Sequence, residues 1–92
     1  LKRDESATFQ LKIVSGFTNN GSINLHLNSM NTEYIDLVIS DITGRIIHRQ
    51  NLKVTAGNSF VTLNTSNLAN GIYYLYGIRI SGRTNVVKFV KQ

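Results

Sequence analysis

The sequence contains no cysteine, no proline and no tryptophan, and one methionine among 92 residues. Without cysteine there is neither a disulfide framework nor a thiolate metal site, and the redox compartment is left open. A small domain without disulfides must be held together by its core alone. Alanine is scarce too, at three residues against ten Ile, seven Val, nine Leu and eight Thr. Ile, Val and Thr together make 25 β-branched residues, which fit a pleated sheet better than a helix. No apolar run approaches the ~20 residues of a membrane-spanning helix. With 41% hydrophobic and 16% charged residues, the chain also lacks the composition of a disordered tail. These absences leave one small all-β domain, with no helix on which to build an active site.

Acidic side chains are missing from more than half of the chain. All five carboxylates (Asp4, Glu5, Glu33, Asp36 and Asp41) lie at or before position 41. From Ile42 onward there are seven basic side chains: Arg45, Arg49, Lys53, Arg79, Arg83, Lys88 and Lys91. The formal net charge is +5. One reading is attraction to an anionic partner such as lipopolysaccharide, nucleic acid or an acidic protein groove. The other is a solvated surface, which the lack of a dense Lys/Arg run favours. The chain starts Leu1-Lys2-Arg3 without a signal-peptide or lipidation pattern. That start reads as a piece of a longer protein, so that any export signal would sit upstream.

Period-two alternation predicts seven strands, over residues 8–14, 22–28, 33–41, 45–54, 59–64, 72–80 and 84–91. The expected inward set is Phe9, Ile23, Leu25, Ile35, Leu37, Ile39, Leu63, Tyr73, Leu75, Val87 and Phe89. Two places break the alternation. Ile46 and Ile47 are adjacent, so the phase of that strand is undecided. Tyr73 and Leu75 oppose the phase of Ile78 and Ile80, and a one-residue bulge at Gly77 would reconcile them. Turns are written in Asn19-Asn20-Gly21, Asp41-Ile42-Thr43-Gly44, Ala56-Gly57-Asn58, Asn70-Gly71 and Ser81-Gly82. Short strands at this spacing predict a single antiparallel, immunoglobulin-like β-sandwich over 7–92, with 1–6 as a frayed end.

Residues with catalytic potential do not assemble into a recognisable set. His26 and His48 are the only histidines, and two lone imidazoles without cysteine rarely bind zinc. Serine and histidine are present, but no nucleophile-elbow motif occurs. Glu33 and Asp36 differ in strand parity and so face apart, unlike the paired carboxylates of glycosidases. Asp41 reads as a turn acid preceding Gly44. No phosphate-binding glycine loop precedes a helix. Tyr73, Tyr74 and Tyr76 read either as a sugar- or base-stacking platform or as a core tyrosine with two outward neighbours. Two glycosylation-type sequons, at Asn20 and Asn64, fit chance occurrence in a chain with eleven asparagines. The residues thus indicate a non-catalytic sandwich with no cofactor, no metal and no nucleic-acid partner.

Four ordered motifs carry a family resemblance. Asn20-Gly21-Ser22-Ile23-Asn24-Leu25 is followed by Leu37-Val38-Ile39-Ser40-Asp41-Ile42-Thr43-Gly44-Arg45. Leu68-Ala69-Asn70-Gly71-Ile72-Tyr73-Tyr74-Leu75 comes next, and the chain ends Val87-Lys88-Phe89-Val90-Lys91-Gln92. In order and spacing this resembles the C-terminal sorting domain of the type IX (Por) secretion system of Bacteroidetes, over residues 9–92. Members of that family often carry Pro-Asn-Pro after the first strand, where this chain has Ser15-Gly16-Phe17. The resemblance implies a signal that directs a larger cargo from the periplasm across the outer membrane, to the cell surface or medium. It implies a translocon, a shuttle and a sortase as partners, the cargo upstream in the same chain with 1–6 as a linker remnant, and no stable membrane insertion. A sortase commonly removes the domain and joins the cargo to lipopolysaccharide. Lys88, Phe89, Val90 and Lys91 are the expected recognition residues, in a last strand that a partner could augment. Asp41, Gly44, Arg45, Gly71 and Tyr73 are expected to be structural. A carbohydrate-binding or adhesive module of a secreted protein is the alternative.

Overall fold

Each alternating stretch forms a strand in the computed structural model, which describes residues 9–14, 17–18, 21–80 and 82–92. The strands are β1 (Phe9–Ile13), β2 (Phe17–Thr18), β3 (Ser22–Ser29), β4 (Glu33–Asp41), β5 (Ile46–Val54), β6 (Gly57–Asn64), β7 (Gly71–Arg79), β8 (Gly82–Arg83) and β9 (Val87–Lys91). Seven correspond to the expected strands, and the two-residue β2 and β8 are additional. The expected linker (1–6) and the residues Ser15, Gly16, Asn19, Asn20 and Ser81 lie outside the described residues.

The strands divide into two sheets. The smaller has the order β1-β3-β6; the larger runs β2-β9-β7-β4-β5, with β8 also on β7. Pairing is antiparallel except between β2 and β9. The architecture is the expected all-β sandwich. Alternation builds its core: Phe9, Leu11, Ile23, Leu25, Leu27 and Leu63 from the smaller sheet meet Ile35, Leu37, Ile39, Val54, Tyr73, Leu75 and Phe89 from the larger. Full burial of each such side chain contributes about 1.5–3 kcal/mol, so the core can stand without a disulfide. Val87, expected inward, packs half-buried at its border.

The two breaks in alternation have different causes. At Ile47 there is a bulge: Ile39 pairs with His48 but Ser40 pairs with Ile46, leaving Ile47 as the extra residue. At Gly77 there is none. The register of β7 on β4 runs unbroken from Asp36↔Ile78 to Asp41↔Tyr73. Gly77 is instead a site of close approach, where an added Cβ would stand 3.0 Å from Thr84 Cγ2 and 3.3 Å from Ile35 Cδ1. Its N–H donates to Thr84 Oγ1 at 2.8 Å, while its carbonyl accepts from Thr84 N at 2.9 Å. The irregularity therefore belongs to the neighbouring chain, where β8 gives way to β9 around a buried threonine.

The apparent phase change in β7 has a second origin. Tyr76 and Val38 are buried although they face away from the core. Arg83 lies over the Tyr76 ring, 4.8 Å from its centroid, and a guanidinium on an aromatic face excludes water while keeping its own charge solvated. Arg79, at the inward parity, closes one end of the core. It makes paired 3.0 Å bonds to Glu33 and lies 5.0 Å over the Phe9 ring.

Candidate functional site

The last strand is bound to the fold on three sides. Phe89 is fully buried and stacks on Tyr73, with ring centroids 5.5 Å apart. Along one edge β9 pairs with β7, from Leu75↔Val87 to Gly71↔Lys91. Along the other, β2 runs parallel to it, with Phe17↔Val90 and Thr18↔Lys91. The expectation of a last strand open to augmentation is corrected at its C-terminal half, where β2 already occupies that edge.

The two lysines of this strand do not form one surface. Lys88 is exposed on the outer face, beside Tyr74 in register. Lys91 has the parity of Phe89, and its Nζ donates to the Leu68 carbonyl at 2.9 Å. A Lys91→Glu change would therefore lose a bond that ties the strand to the β6–β7 connection, so reversing both lysines is not a surface-only change. Val90 lies between them on the outer face, half-buried next to Ile72.

Tyr73, buried against Phe89, turns its hydroxyl back to donate to the Ala69 carbonyl at 2.6 Å. A buried phenol needs such a partner, and this bond fixes the connection that Lys91 also holds. Gly71 opens the strand at φ 156°. The β4–β5 turn is built by one carboxylate. Asp41 Oδ1 accepts from Thr43 N, Thr43 Oγ1 and Arg45 N at 2.9, 2.6 and 3.0 Å. Its Oδ2 pairs with Arg45 Nε at 3.3 Å. Gly44 adopts φ 91°, open to glycine at little cost, and its N–H donates to the Asp41 carbonyl. Asp41, Gly44, Arg45, Gly71 and Tyr73 thus hold two loops at the same end of the sandwich.

That bonding holds the Asp41 carboxyl below the ordinary 3.8, chiefly through the Thr43 hydroxyl, with the Arg45 and Thr43 backbone N–H groups and the Arg45 charge adding to it. A depressed folded-state value means that the stabilisation is present above the unfolded value and lost as pH falls through the folded one. Asp36 is lowered in the same direction by Asn51 and then Arg49. The acid limb of the melting curve is therefore expected to flatten in Asp41→Asn. Melting temperatures of both chains between about pH 7 and about pH 2 check this.

Comparison with known families shows where the chain belongs. The model of the family described as "Secretion system C-terminal sorting domain" matches residues 19–92. The chain belongs to that family. Sorting domains of this kind are export signals of type IX secretion, which implies a Bacteroidetes source and export across the outer membrane. The family is not catalytic, and membership favours sorting over the glycan-binding alternative. A comparison with curated proteins gives no match.

Among solved structures, the sorting domain is similar to part of a β-glucosidase from Listeria innocua in complex with glucose. The identity is 18% and the TM-score 0.52, over 90% of this chain and 16% of the other. A mutant of that enzyme in complex with laminaribiose gives 17% and 0.51, over 91% and 16%. The chain spans about a sixth of those proteins, and the likeness shows the fold alone.

The remaining candidates are dispersed through the sorting domain. His26 lies in the smaller sheet, stacked on Phe60 and 2.9 Å from Asn58 Oδ1, while His48 lies in the larger, beside Gln50. Glu33 and Asp36 bond to different arginines, Arg79 and Arg49. Tyr74 and Tyr76 stand on the outer face beside a core Tyr73. Sequence reasoning passed over the exposed isoleucines at the turn end: Ile42, Ile46 and Ile72. The available signals were an isoleucine inside a tight turn and the Ile46-Ile47 pair.

Proposed function

We propose that this domain is an export address: it directs a larger cargo, upstream in the same chain, through the type IX translocon. A shuttle and a sortase handle the cargo afterwards, and the sortase removes the domain as the cargo is joined to the cell surface. Family membership over residues 19–92 carries this reading. The geometry supports an address in which folding and recognition are separated within one strand. Phe89 and Lys91 hold β9 in place, while Lys88 and Val90 face outward from the larger sheet. A partner can therefore read the outer face without unfolding the domain.

The test fuses this chain behind a signal-bearing reporter in a type IX-competent host. Removing Lys88 to Gln92 is expected to leave the reporter in the periplasm, since Phe89 goes with it. Lys88→Glu touches no buried group. It is expected to keep the melting temperature of the parent and to lower export. Normal export of folded Lys88→Glu would remove Lys88 from the recognition surface.

A further inference from the structure

The turn end of the sandwich carries apolar side chains that the fold does not use. Ile42 is 65% exposed at the tip of the β4–β5 turn, Ile72 is 44% exposed in β7, and Ile46 is 47% exposed in β5. Ile46 and Ile72 share the outer face of the larger sheet on either side of β4, and Ile42 stands at the turn that ends β4. Val90 pairs with Ile72, and Ser40 sits between Tyr74 and Ile46. Ile42 and Ile72 together line an open hollow of about 340 Å³, with Asp41, Asn70, Gly71 and Tyr73 as its other walls. Single exposed isoleucines on a monomer need no explanation, but a cluster around a hollow does.

The surrounding charge leans positive. Lys88 stands beside Tyr74, and Arg45 borders the turn with a side chain 77% exposed. Asp41 is the side-chain carboxylate at this end among the described residues, and it is committed to the turn and to Arg45. Glu33 opens β4 at the far end of the strand, paired with Arg79. An apolar hollow with a cationic rim is complementary to an apolar anchor ringed by carboxylates.

We propose that Ile42, Ile46, Ile72 and Val90 form a protein-docking surface, which receives an apolar side chain of an acidic-rimmed partner in the hollow between Ile42 and Ile72. The inference rests on the export reading and adds a second element to it: the address includes the β4–β5 turn as well as the last strand. It assigns the turn residues a purpose. The Asp41 bonds and Gly44 fix the backbone of the turn that carries Ile42, which reduces the ordering cost on binding. A protein fits better than a lipid surface, because a hollow accepts an inserted side chain, whereas membrane insertion favours a protruding apolar tip.

The experiment uses the reporter fusion with Ile42→Asn and Ile72→Thr together, and with Ile42→Asn alone. Both positions are exposed, and threonine keeps the β-branching of the strand. Export is expected to fall about tenfold or more in the double variant, as for loss of a binding anchor, with the melting temperature of the 92-residue chain unchanged. If the double variant melts lower, Ile42→Asn, at the turn tip, supplies the reading. Export within about twofold of the parent overturns the proposal. So does binding of the parent chain to phosphatidylethanolamine–phosphatidylglycerol vesicles that Ile42→Asn abolishes, since the occupant would then be lipid. If the reporter is exported equally well without the whole chain, the export reading itself fails, independently of the isoleucines.

Discussion

Phe89→Ala is expected to destabilise the domain by about 3–5 kcal/mol, the cost of emptying a buried aromatic site. Phe89 is fully buried and stacks on Tyr73, so truncation removes both the transfer contribution and the ring contact. The loss is not local. Tyr73 orients the Ala69 carbonyl, and Lys91 bonds to Leu68 in the same connection. A stability of about 5–15 kcal/mol is usual for a domain, so this change consumes a large part of it. Urea unfolding of the 92-residue chain measures the shift. A change below about 1 kcal/mol would show that β9 is not part of the core.

Gly77→Val is the second large effect, expected at about 2–4 kcal/mol from overpacking and from strain on two hydrogen bonds. The new Cβ would stand 3.0 Å from Thr84 Cγ2 and 3.3 Å from Ile35 Cδ1, with two more methyl carbons beyond it. Thr84 cannot retreat freely, because its Oγ1 accepts from Gly77 N and donates to the Asn85 carbonyl at 2.8 Å. Gly77→Ala together with Thr84→Ser, which removes the nearest methyl group, is expected to recover part of the loss. If Gly77→Val melts like the parent, the close approach of Thr84 is not a feature of the folded chain.

How far the sequence discloses this molecule follows from what sets each feature. Alternation is a local property, so the strands around Leu25, Leu37, Leu63 and Phe89, and the sandwich they imply, are legible directly. The Asp41 turn is legible for the same reason, since a short acid and a glycine three residues on bond within one hairpin. Gly77 is not, because its reason lies in Thr84, which meets it across the β7–β8 pairing. The same local pattern therefore reads equally well as a bulge. The real bulge, at Ile47, shows in sequence only as a doubled isoleucine, and pairing with β4 is needed to place it. Burial of Tyr76 depends on Arg83, which lies across the strand pair from it. The last strand is half legible. Alternation separates Phe89 from Lys88, but neither the parallel β2 neighbour nor the Leu68 carbonyl that engages Lys91 is encoded near them. Parity alone would have put Lys88 and Lys91 on opposite faces, a signal present in the sequence and passed over.

The central claim, that this chain is an export address of type IX secretion, has one direct measurement. A signal-bearing reporter carrying the intact chain at its C-terminal end is expressed in a competent host and in the same host lacking the outer-membrane translocon. Reporter in the medium and on the cell surface is then compared with reporter in the periplasm. The account predicts export in the first host and periplasmic retention of the folded fusion in the second. Export in both hosts, or periplasmic retention in both, would contradict it.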